Sequence, residues 1–228
     1  MTDKTYKLSP SSLNLMHECP RCFWLSEHKV WKRPSGIFPS LPSGMDKILK
    51  EHFDRFMEKG ILPPELDKSE CKEMECKLYD DKEKLTLWRN NFKGISYEDK
   101  QGNILHGAVD NILVKYHSKK QKLIVLDYKT RGYELKEDTH EHYQNQIDIY
   151  NFLLRKNGYE TEDFAFLLFY VPKEVLPTGE IIFTTTLKRM KVDASNAENI
   201  WKKALKLLNE ECPPVLSKDK VCVWCERV

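Results

Sequence analysis

The 228-residue chain contains no stretch near the ~18 consecutive apolar residues that a membrane-spanning helix requires. Its first residues, "MTDKTYKLSP", show no apolar run behind a basic start, so a cytoplasmic protein with no membrane partner is the expectation. A surplus of one charge is also lacking. Lys and Arg number 37 against 35 Asp and Glu, a formal net charge of +2, which does not announce a nucleic-acid binder through bulk charge. Local clusters such as "HSKKQKL" suit a solvated loop as well as a phosphate contact. Repeats and low-complexity tracts are missing as well. The seven cysteines are odd in number, and in a reducing compartment thiols serve more often as metal ligands, catalytic groups or buried filler than as disulfides.

What is present is the balance of an ordered soluble protein: 40% hydrophobic, 32% charged and 11% aromatic residues, in a length that fits one domain over residues 1–228. Ser9 followed by Pro10 predicts a helix start, and Pro20 both ends that helix and opens a second, with Cys19 at its N-cap and Cys22 one turn in. Residues 30–44 are rich in Pro, Gly and Ser and predict a loop leading to a helix at "GMDKILKEHFDRFMEKG". A charged, helical-looking stretch follows to about 92, with Cys71 and Cys76 as structural or incidental thiols. From about 95, β-rich runs alternate with turn signals and predict a three-stranded antiparallel meander. Then come a helix at "THEHYQNQIDIYNFLLRKNG", a doubly buried strand at "DFAFLLFYV", a strand at "EIIFTTTLKRMKV" and a last helix. The expected fold is α/β, a mixed central sheet flanked by helices.

In "LIVLDYKT", Asp127 and Lys129 stand two apart and so share one face of a strand, and folding the hairpin back brings Asp110 of "HGAVDNILV" opposite them. Charges inside apolar strands cost several kcal/mol unless compensated. A structural salt bridge would compensate them. So would a divalent ion, since two carboxylates offer the hard oxygen ligands that Mg²⁺ or Mn²⁺ prefers. Gln146 and Tyr150, four apart, share a helical face on the next element, where they could reach one nucleic-acid strand or the metal site together, or serve as a core tyrosine and its solvent-side neighbour.

The ordered set "GAVD", "DYK" and "QIDIY" resembles the core of the PD-(D/E)XK nuclease superfamily, in particular its RecB-like exonucleases and their CRISPR-associated relatives, over roughly residues 8–225. The resemblance implies a restriction-endonuclease-like fold. It implies that Asp110 and Asp127 bind metal, that the backbone carbonyl of Tyr128 joins them, that Lys129 is the catalytic lysine, and that Gln146 and Tyr150 form the QxxxY motif. The family's metal-binding histidine on an early helix after a glycine has no counterpart in "GMDKILKEHF"; Asp46 and His52 are the replacements to weigh, and Asp46 lies nearer the glycine.

The tail carries "CVWC", so Cys222 and Cys225 repeat the spacing of Cys19 and Cys22. Two such pairs can supply four thiolates for a structural Zn²⁺ or an iron–sulfur cubane, or they can be small buried hydrophobes. The pattern is similar to the iron–sulfur clasp of the CRISPR-associated exonucleases and AddB-type helicase–nucleases, which implies a 4Fe–4S cluster with Zn²⁺ as the alternative. Those relatives use one early and three late cysteines, and here the usual last ligand is absent. Cys22 is expected in its place, ahead of Cys212, which precedes "PP" and suits the end of a helix. The resemblance implies a Mg²⁺- or Mn²⁺-dependent deoxyribonuclease acting on single-stranded DNA or free ends, in repair, recombination or CRISPR-type processing, with a helicase or a CRISPR integrase as partner. The rival expectation is a catalytically weakened module that binds nucleic acid or acts as a scaffold.

Overall fold

The computed structural model describes residues 4–36, 39–118, 120–215 and 222–225. After a short strand β1 (Lys7–Leu8), Ser9 caps helix α1 (Pro10–Glu18) reciprocally with Ser12, as each backbone N–H donates to the other's hydroxyl. Cys19 ends α1 and caps α2 (Pro20–Glu27), its Sγ accepting from the Cys22 N–H at 3.4 Å. Helix α3 (Ser40–Glu58) begins four residues ahead of Gly44, where composition suggests a loop. Pro42 lies in its first turn, where the missing N–H has no partner to lose. The charged stretch beyond it is broken into α4 (Pro64–Asp67), α5 (Glu70–Glu73) and α6 (Lys82–Trp88), with an unanticipated edge strand β2 (Lys77–Leu78).

The β-rich run divides between two sheets. Strands β3 (Ile95–Glu98) and β4 (Ile104–Gly107) form a hairpin beside β1, in the order β1-β4-β3. Strands β5 (Asn111–His117) and β6 (Lys120–Thr130) enter a five-stranded sheet with β7 (Phe164–Val175) and β8 (Ile181–Lys191), in the order β2-β5-β6-β7-β8. Lys119, at the centre of the expected β5–β6 turn, lies outside the described residues. The chain leaves β4 at Gly107 and joins β5 at Asn111, so Ala108, Val109 and Asp110 cross from one sheet to the other. Mixed sheets flanked by helices give a restriction-endonuclease-like architecture.

Helix α7 (Gln144–Lys156), entered through a 3-10 turn at Thr139–Tyr143, carries the chain from β6 to the parallel neighbour β7. Strand β6 is covered on both faces, which is why "LIVL" reads as a continuous apolar run. Leu123 and Val125 pack towards Ile147 and Leu154 of α7, and Ile124, Leu126 and Tyr128 towards Leu49 and Phe53 of α3. Helix α8 (Ala194–Leu208) closes the α7 side. Among the described residues no helix is long and apolar enough to cross a membrane.

Asp148 lies inside "QIDIY" yet points away from the charged strand residues. It accepts from Gln144 Nε2 at 2.8 Å, from the Asp193 N–H at 2.8 Å and from Asn196 Nδ2 at 2.7 Å, tying α7 to the start of α8. Asp148→Ala would strand those donors and is expected to cost about 2–3 kcal/mol in urea unfolding.

Candidate functional site

Strand alternation puts Asp127 and Lys129 on the α7 side of β6, and the four-residue helical spacing turns Gln146 and Tyr150 back towards them. The result is a relay. Lys129 pairs with Asp127 and donates to Gln146 Oε1 at 2.9 Å, while Gln146 Nε2 donates to the Tyr150 hydroxyl at 2.7 Å. The Tyr143 ring covers the Lys129 ammonium at 4.6 Å. Asp110, on the crossing segment, accepts the Tyr128 N–H on Oδ2 at 2.9 Å. Tyr128 turns its side chain to the opposite face, packing at a tilt on Phe53 and accepting from Asn111 Nδ2 at 2.7 Å, so only its backbone belongs to this cluster.

Asp46, from α3, reaches the same cleft of about 410 Å³. His52 does not: its ring lies against Phe56 and bonds Glu65 at 3.2 Å. Between Asp46 and Asp110 stands Lys50, a residue that motif reasoning missed, at 2.7 Å from Asp46 Oδ1 and 3.1 Å from Asp110 Oδ1. The "DKILK" spacing, an acid and a lysine one helical turn apart, was its only signal. Ser9 and Ser11 at the start of α1, with Asn91 and His106, complete the cleft. The His106 Nδ1 is buried and makes no hydrogen bond.

Burial pushes the Asp127 carboxyl up to about 7, against the pull of Lys129. At Lys129 burial opposes the charge, but Asp127 outweighs it and raises the ammonium. Burial, with Asp110 nearby, also raises Asp46. Asp127 Oδ2 is buried and, although Lys129 lies beside it, accepts no aligned hydrogen bond. Three carboxylates meet in the cleft: Asp46 and Asp110 hold the Lys50 ammonium between them, and Asp127, whose buried Oδ2 has no aligned hydrogen bond, pairs with Lys129. This donor set fits a hard divalent ion such as Mg²⁺ or Mn²⁺.

The four cysteines Cys19, Cys22, Cys222 and Cys225 form a second cluster, every Sγ within 4.8 Å of the others. Cys19 and Cys225 are 3.6 Å apart, and so are Cys22 and Cys222. Burial opposes the Cys222 thiolate, but the N–H groups of Cys225 and Trp224 outweigh it and lower its pKa. Arg33 Nη2 also donates to that sulfur at 3.5 Å. Cys212 stays out of the set and accepts from Arg21 at 3.4 Å. Four thiols so arranged could hold a metal. Cys71 and Cys76 are buried with Leu66 and Leu78 beneath α3, away from both clusters.

A family model for the PD-(D/E)XK nuclease superfamily matches residues 28–227. Among solved structures, one described as the crystal structure of SSO0001 is similar at 15% identity, covering 92% of this chain and 80% of that one with a TM-score of 0.44. A search of curated proteins gave no match.

Gly107 explains how Tyr150 comes so close to the crossing segment. A Cβ built on it would stand 2.6 Å from Tyr150 Cε1, far inside contact distance. Gly107→Ala is therefore expected to shift the ring and cost about 1–3 kcal/mol, read by denaturant unfolding.

Proposed function

The chain belongs to the PD-(D/E)XK nuclease superfamily, and from that premise we propose that it is a Mg²⁺- or Mn²⁺-dependent deoxyribonuclease acting on single strands or free ends. The relay Asp127–Lys129–Gln146–Tyr150, set against Asp110 and Asp46, carries the proposal. Asp46, Asp110 and Asp127, with the Tyr128 carbonyl, would hold the ion. When bound, such an ion polarises a phosphoryl oxygen and acidifies a coordinated water. Lys129 faces the cleft with its charged form favoured by Asp127, placed to offset charge developing on phosphorus. Gln146 aims that ammonium, and Tyr150 fixes the Gln146 amide so that its oxygen faces the lysine. DNA repair, recombination or CRISPR-type processing, beside a helicase or an integrase, is the setting the resemblance favours.

A catalytically weakened nucleic-acid-binding or scaffolding module is the second reading. It is favoured by one observation, the ammonium of Lys50 lodged between two of the acids. End-labelled single- and double-stranded DNA incubated with Mn²⁺ separates the two. Asp127→Ala and Lys129→Ala are each expected to lose about 10²–10⁴-fold of the wild-type cleavage rate. Wild-type protein as inert as both variants would leave the scaffold.

For the cysteine clasp, sulfur spacing favours zinc over the iron–sulfur cubane. Zn–S bonds of about 2.3 Å in a tetrahedron place sulfurs roughly 3.8 Å apart, and here two pairs stand at 3.6 Å with no pair of the four beyond 4.8 Å. A cubane binds each thiolate to a different iron and so spreads the sulfurs wider than a single ion does. Protein purified without oxygen is expected to be colourless, with one zinc per chain; a brown protein containing iron would reverse the assignment. Because a structural metal contributes its binding free energy to folding, stripping it or substituting Cys22→Ser is expected to lower the melting temperature markedly.

A further inference from the structure

The geometry points to Lys50 as a tethered cation that holds the acids of the cleft together and that a divalent ion must displace to bind. This inference rests on Asp46, Asp110 and Asp127 being the metal site.

Asp110 decides the matter. Its Oδ2 is committed to the Tyr128 N–H at 2.9 Å, which leaves Oδ1 for a cation, and Oδ1 is the oxygen Lys50 holds at 3.1 Å. The same ammonium lies 2.7 Å from one oxygen of Asp46 and 2.8 Å from the other. An ammonium and a divalent ion thus compete for the same lone pairs, and like charges so close in a partly buried cleft repel. Lys50 is not a duplicate of Lys129, whose ammonium already has Asp127, Gln146 and the Tyr143 face as partners.

Its attachment suits displacement. Lys50 is carried one turn after Asp46 on α3, and its four-carbon stem lets the head leave without moving the helix. Its side chain is 21% exposed, so water is within reach of the departing ammonium. While it stays, it opposes the mutual repulsion of Asp46 and Asp110 across the contact between α3 and the β5–β6 strands. The protein therefore keeps its acids assembled without an ion, at the expense of ion affinity.

Manganese binding, followed by electron paramagnetic resonance of free Mn²⁺, and thermal melting with and without Mn²⁺ test this without reference to cleavage. Lys50→Met keeps the stem and removes the charge. It is expected to bind Mn²⁺ roughly tenfold tighter than wild type, to melt lower in chelator, and to gain more from added Mn²⁺. Lys50→Arg keeps the charge and is expected to bind no tighter than wild type. Should Lys50→Met unfold in chelator, Lys50→Gln, which retains a donor for both carboxylates, gives the same comparison. Affinity unchanged or weakened in the neutral variants overturns the role of Lys50 while leaving the metal site intact. Wild type and Lys50→Met both failing to bind Mn²⁺, or Asp110→Ala binding it as well as wild type, overturns the metal site itself and this inference with it.

Discussion

Asp127 is 1% exposed and its carboxylate sits in an otherwise apolar strand, and much of the surrounding structure compensates for it. A charge so placed costs several kcal/mol unless partners are held in good geometry. Lys129 supplies the counter-charge, but its own head would be unsatisfied without Gln146 and Tyr143. Gln146 in turn has a fixed orientation only because the Tyr150 hydroxyl takes its amide hydrogen. Tyr150 can stand there only because Gly107 has no side chain. A single buried carboxylate thus accounts for residues on β4, β6 and α7, and for the tight packing of the crossover helix on the strand it leaves.

The two clusters are joined by a short rigid element. Helix α1 offers its first turn to the acidic cleft through Ser9 and Ser11, and ends at Cys19 in the thiol cluster. Nine residues span only about 13 Å at 1.5 Å each. The Ser9–Ser12 box fixes the start of that helix, while Cys19, capping α2, fixes its end. Any ion that ties Cys19 and Cys22 to Cys222 and Cys225 therefore also sets where one wall of the cleft stands.

Features whose geometry is local were legible in the sequence. The Asp127–Lys129 face follows from strand alternation, the Gln146–Tyr150 face from helical spacing, and the Cys19 cap from the proline beside it. Features set by distant pairing were not. β4 lies parallel to β1, about a hundred residues away in sequence, and nothing within the β-rich run announces that partner. The meander therefore splits at Ala108–Asp110. The early start of α3 was hidden by Pro42, a breaker in the middle of a helix that is harmless in a first turn. Lys50 was overlooked because a lysine on an amphipathic helix reads as a solvated residue until the strand opposite it is known.

That split also explains why an acid can lie at the cleft. Asp110 follows the last residue of one sheet and precedes the first of the other, so neither ladder claims its side chain. A carboxylate inside a ladder would have had to lie on one face or the other. At the crossing it can turn one oxygen to the Tyr128 N–H of β6 and the other to Lys50 of α3, bridging the central strand of the sheet and the helix packed against it. A continuous meander would have lost that freedom, and with it the meeting of Asp46, Asp110 and Asp127 in one cleft.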